Sequence, residues 1–246
     1  MDKIFIFDVD GTLTPSRQPM TKEFQKFFKQ WIKKNKFYLV TGSDLPKLQE
    51  QMCMYDIEAE GIFTCCGNQF WLPNPSVPIQ SADLIYDNKF KVPRKLNKLL
   101  GTILSNSIYP HRYGNHIEDR GSMVNFSIVG RDCTQEQRDE YFEYDNKKGE
   151  RKIIAAAVKD KFPDLDAVIG GQISIDIVPK GNDKSQVLKH IQKKENADKY
   201  IFLGDRIQEG GNDYPLAKLM GKTDGCRYYK VEGYKETKQI LESLND

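Results

Sequence analysis

Three short apolar runs along the chain are continuous rather than alternating. They cover residues 4–7, 37–40 and 200–203. Continuous runs of this length are typical of strands that are covered on both faces, as in a parallel sheet with helices on either side. Between the first two runs, Thr21 is a candidate N-cap that precedes an apolar stripe at helical spacing. Strand, helix and strand in this order predict a crossover unit of a parallel sheet.

The middle of the chain alternates between apolar and polar residues instead. Residues 123–129 and 173–178 repeat with period two, which is typical of antiparallel strands with one open face. Thr134 and Gln137 form a capping-box sequence at the start of one predicted helix. An apolar stripe within residues 153–162 predicts a second helix. This part of the chain is therefore predicted to be an α+β unit.

The two patterns predict a core that an insert interrupts. Residues 1–81 and 183–246 form the predicted α/β core, and residues 82–182 form the inserted α+β unit. The turn-rich stretches at 68–81 and 179–182 are the expected hinges between them. A chain of 246 residues is long enough for such a two-part organisation.

Composition and charge argue against several classes of protein. The 37 Lys and Arg residues nearly balance the 35 Asp and Glu residues, which does not favour a nucleic-acid-binding surface. No run approaches the roughly 20 consecutive apolar residues that cross a membrane, and Asp8 and Asp10 end the N-terminal run before it resembles a secretory signal. We therefore expect a cytoplasmic protein without membrane contact. The five cysteines include no CxxC pair, so neither a disulfide framework nor a zinc-thiolate site is expected.

Polar residues follow each of the three continuous runs. Asp8 and Asp10 come after the first run, Thr41 and Ser43 after the second, and Asp205 after the third. Because the carboxyl ends of parallel strands meet at one edge of a sheet, we expect these groups to share a ligand-binding crevice. Closely spaced carboxylates repel one another unless a cation or a shared proton is present, and oxygen-only ligands favour Mg²⁺ over zinc. The alternative is that each loop is merely a solvated turn, which three coinciding loops disfavour.

The sequence Asp8-Val9-Asp10-Gly11-Thr12, directly after a strand, resembles motif I of the haloacid dehalogenase superfamily. Matches to its other motifs follow in the right order at Thr41, Ser43, Lys184, Asp205 and Asp213. The resemblance implies a Rossmann-like α/β core with a parallel sheet, plus an inserted α+β cap domain with an antiparallel sheet. An insert after the second motif is similar to the large-cap subclass, which contains sugar phosphatases and the eukaryotic phosphomannomutases.

The superfamily resemblance also implies roles for these residues. Asp8 would be the nucleophile that forms an aspartyl phosphate, and Asp10 would be the general acid and base. Asp8 and Asp205 would bind Mg²⁺ together with the backbone carbonyl of Asp10, and Asp213 would act in the outer shell of the metal. Lys184 would join in catalysis by neutralising charge. The implied phosphate-binding residues are Thr41, Ser43, Lys184 and Arg17.

Four blocks of the insert resemble the cap of the eukaryotic phosphomannomutase family. They cover residues 120–125, 130–133, 135–138 and 170–176. In that family the matching arginines bind the distal phosphate of the sugar, and hydroxyl and carboxylate side chains suit the sugar hydroxyls. The implied substrate-binding residues of this chain are Arg120, Asn125, Arg131, Arg138, Ser174 and Asp176.

The resemblance implies an enzyme that interconverts hexose 6-phosphate and hexose 1-phosphate, with mannose as the family's sugar. The reaction would pass through an aspartyl phosphate and a hexose bisphosphate, with hexose 1,6-bisphosphate as activator. A Mg²⁺-dependent sugar-phosphate phosphatase is the alternative, because Thr41 is typical of phosphatase relatives where the mutases usually have Gly. A catalytically silent binding module would have lost one of Asp8, Asp10, Lys184 or Asp205, and all four are present. Mannose and glucose are left open as substrates.

Two further parts of the sequence depart from the family pattern, a cysteine pair and a histidine. Cys65 and Cys66 stand where the family commonly has an acidic residue and Asn. His116 stands where the mutases usually have an aromatic residue in a contact between the caps of two subunits. The family resemblance implies a homodimer through the cap. At His116 this chain departs from the residue that the mutases usually have in that contact.

Overall fold

The structure, a computed structural model, describes residues 2–52, 59–73 and 82–244. Within these ranges the fold is built on two β-sheets. The strands within these ranges are β1 (Lys3–Phe7), β2 (Lys36–Val40), β3 (Gly61–Thr64), β4 (Gln69–Leu72), β5 (Asp83–Asp87), β6 (Ile117–Asp119), β7 (Val124–Phe126), β8 (Leu165–Gly170), β9 (Ser174–Pro179), β10 (Lys199–Gly204) and β11 (Cys226–Lys230). The helices are α1 (Lys22–Trp31), α2 (Leu45–Met52), α3 (Arg94–Asn106), α4 (Gln135–Lys148), α5 (Glu150–Lys161), α6 (Gln186–Lys194), α7 (Tyr214–Met220) and α8 (Tyr234–Ser243).

The larger sheet has the strand order β11-β10-β1-β2-β3-β4-β5. Its first five strands in that order are parallel, while β4 and β5 are antiparallel to their neighbours. The three continuous apolar runs form β1, β2 and β10, which lie side by side with Phe7 opposite both Leu203 and Leu39. The prediction of neighbouring parallel strands is therefore confirmed, and their carboxyl ends lie at one edge.

Aromatic side chains fill the space between the larger sheet and α1. The predicted N-cap is confirmed, because the Thr21 hydroxyl accepts a hydrogen bond from the backbone N–H of Phe24. The buried face of α1 carries Phe28, whose ring meets that of Phe7 edge-on at a centroid distance of 5.8 Å. Trp31 meets Phe5 in the same manner at 4.7 Å. These contacts fix β1 against α1 and so fix the position of the residues that follow β1.

The smaller sheet is antiparallel, with the strand order β6-β7-β9-β8. One of its faces packs against α3, α4 and α5, and the predicted capping box of Thr134 and Gln137 begins α4. The expectation of an open second face is wrong, because Asn125 and Asp176 on that face are each only 2% exposed. Loops of the larger sheet cover this face, and Asn212 from one of them donates a hydrogen bond to Asp176.

The strand β5 belongs to the larger sheet, although its residues fall within the predicted insert. Residues 83–87 were expected within the insert, but they pair with β4 and extend the larger sheet. The ring of Tyr86 also packs beside that of Phe70 at 5.9 Å. Backbone pairing and aromatic packing therefore place β5 with the larger sheet. Residues 74–81 of the first predicted hinge lie outside the described residues, and the division into two domains stays a prediction.

None of the helices within residues 2–52, 59–73 and 82–244 is both long and apolar enough to cross a bilayer.

We predict that Phe28→Ala destabilises the protein strongly. Phe28 is fully buried among aromatic rings, and its removal leaves a cavity, so we expect a loss of about 3–5 kcal/mol in the free energy of unfolding. Urea titration of both variants measures the loss. Phe27→Ala is the matched control, because Phe27 is only partly buried on the same helix. Equal losses for the two variants would contradict the packing described for α1.

Candidate active site

A narrow cavity lies between the edge where β1, β2 and β10 end and the polar face of the smaller sheet. The cavity brings together residues that are far apart in the sequence. Among the predicted site residues, those that line it are Asp8, Asp10, Arg17, Ser43, Arg120, Asn125, Arg131, Arg138, Ser174, Asp176 and Asp205. The other three, Thr41, Lys184 and Asp213, are buried and are not in the cavity lining.

Lys184 forms two short ion pairs at the base of the site. Its Nζ lies 2.6 Å from Asp8 Oδ1 and 2.6 Å from Asp213 Oδ1. The lysine side chain is completely buried, and Asp8 and Asp213 are nearly so. Asp8 also accepts a hydrogen bond from the Thr12 hydroxyl on Oδ2, and Asp213 Oδ2 accepts one from the backbone N–H of Arg206. The carboxylate of Asp8 is therefore held in one orientation.

Two glycines allow the carboxylates to approach the backbone this closely. A Cβ on Gly11 would lie 2.6 Å from Asp205 Oδ2, and Gly11 has a φ of +78°, which side chains of L-residues rarely adopt. A Cβ on Gly204 would lie 2.7 Å from Asp213 Oδ2. The glycines next to the aspartates are thus required by packing around the carboxylates.

Burial and mutual repulsion change the acidity of this group. Burial, with the neighbouring Asp213 carboxylate, raises the pKa of Asp8 above its ordinary value. The same two causes raise the pKa of Asp205 to about 7. Burial alone would lower the pKa of Lys184, but Asp213 and Asp8 outweigh it and raise that pKa. Lys184 is therefore an ammonium ion. Its one positive charge does not balance the three carboxylates of Asp8, Asp205 and Asp213.

The donor atoms of Asp8, Asp205 and Asp213 suit a divalent cation. One carboxylate oxygen from each lies within 4.8 Å of the others. Oxygen-only donors and an excess of negative charge favour a hard cation such as Mg²⁺. The side chain of Asp10 is not part of this group, because its two oxygens are engaged elsewhere.

Asp10 lies beside this group and is held by three other residues. Its Oδ1 accepts hydrogen bonds from the backbone N–H of Arg17 at 2.6 Å and from Gln51 Nε2 at 2.9 Å. Its Oδ2 accepts a longer hydrogen bond from the Ser43 hydroxyl at 3.4 Å. Arg17 has a φ of 56°, so its backbone is in the left-handed region while it donates to Asp10. The orientation of this carboxyl is therefore set by the fold.

Thr41 supports the loop after β2. Its hydroxyl accepts a hydrogen bond from the backbone N–H of Ser43 at 3.0 Å, and its backbone carbonyl accepts one from the N–H of Cys66. Gly42 and Ser43, the next two residues, line the cavity. In this arrangement Thr41 shapes the loop, and Ser43 is the hydroxyl that faces the cavity.

Guanidinium groups occupy the opposite wall of the cavity. Arg120 Nη1 donates a 2.7 Å hydrogen bond to the backbone carbonyl of Gly42, across the space between the two sheets. Glu118 Oε2 lies 2.6 Å from Arg120 Nη2 and 3.3 Å from Arg131 Nε, so one carboxylate orients both arginines. Paired and partly buried, these arginines keep fixed positions from which they can bind an anion.

Within the described ranges, Arg138 forms no ion pair with a carboxylate. Its Nε donates to the side-chain oxygen of Gln172 at 3.3 Å. Burial, together with the nearby cation of Arg17, lowers the pKa of Arg138 from its ordinary value. Two neighbouring cations with a neutral hydrogen-bond acceptor favour an anionic ligand, since a phosphate would relieve their repulsion.

Asp176 links the polar face of the smaller sheet to the larger sheet. It accepts hydrogen bonds from Asn125 Nδ2 at 2.7 Å and from Asn212 Nδ2 at 3.2 Å. The Cys66 thiol also points at its Oδ2, at 3.7 Å. Because the amide of Asn125 donates to a carboxylate, its Oδ1 must face the other way, and this buried oxygen has no partner within the described residues. A ligand hydroxyl could supply that donor.

Comparison with known proteins identifies the family. Residues 24–245 match the family model described as eukaryotic phosphomannomutase. The chain belongs to the eukaryotic phosphomannomutase family. A phosphomannomutase of Encephalitozoon cuniculi is 39% identical over 218 residues, which cover 87% of this chain and 83% of that protein. A probable phosphomannomutase of Caenorhabditis elegans is 33% identical and covers 98% of this chain and 94% of its own.

Solved structures of lower identity share the fold of this phosphomannomutase family member. A haloacid dehalogenase-like hydrolase from Bacteroides thetaiotaomicron has a TM-score of 0.61 at 14% identity, covering 99% of this chain and all of its own length. An N-terminally truncated, IMP-bound IMP-nucleotidase of Plasmodium falciparum has a TM-score of 0.63 at 18% identity, covering 99% of this chain and 68% of its own. The predicted fold class is confirmed.

Three residues around the phosphomannomutase-family motifs were missed from the sequence. Glu118 orients two arginines, Gln172 holds Arg138, and Gln51 contacts Asp10. Glu118 could have been found, because it precedes Arg120 by two residues, a spacing that places side chains on the same side of an extended chain. Gln51 carries no such signal, because its contact to Asp10 depends on how α2 packs.

We predict that Mg²⁺ stabilises the protein through the three-carboxylate group. At about 100 times its dissociation constant, a bound ion should add about 2.7 kcal/mol to the free energy of unfolding. Asp205→Asn should remove most of this gain, because it removes one of the donor carboxylates. Thermal unfolding with and without Mg²⁺ measures the gain.

The control for this prediction is Asp224→Asn. It removes the same charge from an exposed turn and should keep the full gain from Mg²⁺. An Asp205→Asn protein that gains as much from Mg²⁺ as the unchanged protein would show that the ion binds elsewhere.

Proposed function

We propose that the chain interconverts hexose 6-phosphate and hexose 1-phosphate, with mannose as the sugar of its named relatives. The observation that carries this proposal is the charge distribution of the cavity. Its base holds a carboxylate group around Asp8, and its opposite wall holds the guanidinium groups of Arg120, Arg131 and Arg138. A sugar with a phosphate at each end of the molecule matches this distribution.

Asp8 is the proposed nucleophile. Its carboxylate must approach a phosphate dianion, and the two repel each other until positive charge is present. The Lys184 ammonium, 2.6 Å from Asp8 Oδ1, supplies part of that charge and fixes the carboxylate. Asp8 and Asp205 would hold Mg²⁺ with the Asp10 backbone carbonyl, and Asp213 would support them. When bound, the ion neutralises charge on the phosphoryl oxygens.

Asp10 is the proposed general acid and base. It lies on the same turn as Asp8 and lines the cavity. As Asp8 bonds to phosphorus, the bond from phosphorus to the sugar oxygen breaks, and Asp10 gives that oxygen a proton. In the return step Asp10 takes the proton of the attacking sugar hydroxyl. A sugar bisphosphate is therefore the intermediate, and it also serves as the activator that first phosphorylates Asp8.

The cap arginines are the proposed site for the phosphate that does not react. Arg120 and Arg131 are aligned by Glu118, and Arg138 with Arg17 forms the second cationic pair. The bisphosphate must turn over between the two half-reactions so that either phosphate can reach Asp8. Binding through phosphate and guanidinium groups suits this, because both ends of the intermediate carry the same group.

Hydrolysis is the alternative fate of the aspartyl phosphate. Thr41 is the feature of the sequence that keeps this alternative open. Its hydroxyl accepts a hydrogen bond from the N–H of Ser43 and keeps its own hydrogen, so this contact does not favour hydrolysis over transfer to a sugar. A cytoplasmic location and a homodimer through the cap stay predictions from the sequence.

We predict mutase activity that depends on Asp8. With Mg²⁺ and a trace of mannose 1,6-bisphosphate, the purified protein should convert mannose 1-phosphate to mannose 6-phosphate while releasing little free phosphate. Asp8→Asn should abolish the conversion, and Asp224→Asn should not change it. A coupled assay for mannose 6-phosphate, run beside phosphate detection, measures both products. Free phosphate as the main product would overturn the mutase proposal in favour of a phosphatase.

A further inference from the structure

Gln51 is a fully buried polar side chain to which no role has yet been assigned. It lies on α2 and its Nε2 donates to Asp10 Oδ1 at 2.9 Å and to the Thr14 hydroxyl at 3.3 Å. Its own backbone carbonyl accepts a 2.8 Å hydrogen bond from the N–H of Met20. Both ends of the residue are therefore tied to the segment between Asp10 and α1.

The side-chain oxygen of Gln51, Oε1, is buried without a hydrogen-bond partner in the described part of the chain. An unpaired buried carbonyl reduces stability, and an apolar side chain of similar shape would avoid that cost. The orientation of the amide is set by Thr14, whose hydroxyl donates its own hydrogen to the Val9 carbonyl and can therefore only accept from Gln51. Stability alone therefore does not account for a glutamine at this position, whereas its contact to Asp10 does.

The two oxygens of Asp10 have different environments. Oδ1 faces two N–H donors, those of Gln51 and of the Arg17 backbone. A proton on Oδ1 would point at these N–H groups, neither of which can accept a hydrogen bond. The one hydrogen-bond partner of Oδ2 among the described residues is the Ser43 hydroxyl, which can either donate or accept. A proton on Asp10 therefore belongs on Oδ2.

We propose that Gln51 is a positioning residue that holds Asp10 by Oδ1 and leaves Oδ2 to exchange the proton with the sugar oxygen. This rests on the proposed function, in which Asp10 is the general acid and base. In the forward half-reaction Oδ2 gives its proton to the departing sugar oxygen, and Asp10 becomes a carboxylate held by Gln51 and Arg17. In the reverse half-reaction Oδ2 takes the proton from the attacking hydroxyl and the starting state returns.

The test compares a poor and a good leaving group in Gln51→Met. Transfer of phosphoryl to Asp8 from mannose 1,6-bisphosphate needs a proton on the departing alkoxide, so its single-turnover rate should fall at least about tenfold. Transfer from 4-nitrophenyl phosphate should change less than about twofold, because nitrophenolate leaves without a proton. Rapid-quench measurement follows the first donor, and the first-turnover release of nitrophenol follows the second. Gln51→Asn, whose shorter amide cannot reach Asp10, should give the same pattern and serves if the methionine variant fails to fold.

Two controls separate positioning from a purely structural role. Leu48→Ala removes a buried side chain from the same helix, and any loss of rate should be equal for both donors. Gln51→Met added to Asp10→Asn should cause no further loss, because Gln51 acts only through Asp10. Equal losses for both donors in Gln51→Met, or a further loss in the double variant, would overturn the proposal.

The behaviour of Asp10→Asn distinguishes failure of this proposal from failure of the proposed function. If Asp10→Asn slows the bisphosphate reaction selectively and Gln51→Met does not, the role of Gln51 is wrong while that of Asp10 stands. If Asp10→Asn slows both donors equally, Asp10 is not the acid, and the role of Gln51 falls with it.

Discussion

A single buried ammonium holds the candidate site together. Lys184 lies 2.6 Å from both Asp8 and Asp213, which follow different strands, and all three are buried. Losing one partner of a buried ion pair is strongly destabilising, so the strand ends cannot shift independently. With Asp205 added, the carboxylates outnumber the ammonium, and a bound cation would balance their charge. The net charge of +2 is close to zero although the charges within the site are separated. The carboxylates around Asp8 lie at the bottom of the cavity and face the arginines of its opposite wall.

Local signals predicted three of the seven strands described for the larger sheet and two helix starts. The continuous apolar runs became neighbouring parallel strands, and Thr21 and Thr134 cap the helices that they were expected to cap. The pattern could not show what covers the polar face of the smaller sheet, because the covering loops come from distant parts of the chain. It also misplaced β5, since its position depends on pairing with β4 and on packing of Tyr86 against Phe70.

Resemblance to a family supplied most of the proposed site, and eleven of the fourteen residues that it named line one cavity. Residues that act on those groups indirectly were harder to find. Gln51 is 41 positions from Asp10, and nothing in the spacing links them. Glu118 lies on β6 and Arg120 directly follows that strand, so their spacing of two residues could have paired them. The phosphate contact of Thr41 stays a prediction, and the structure adds that its hydroxyl accepts from the backbone of Ser43 in its own loop.

The central claim is that Asp8 carries the phosphoryl group between the two sugar positions. Acid-quenched protein, taken within the first turnover after mixing with Mg²⁺ and mannose 1,6-bisphosphate, can be digested and mapped by mass spectrometry. We expect one phosphoryl group, on the peptide that contains Asp8, and none in Asp8→Asn. A phosphoryl group on another residue, or sugar turnover without any phosphorylated protein, would contradict the account.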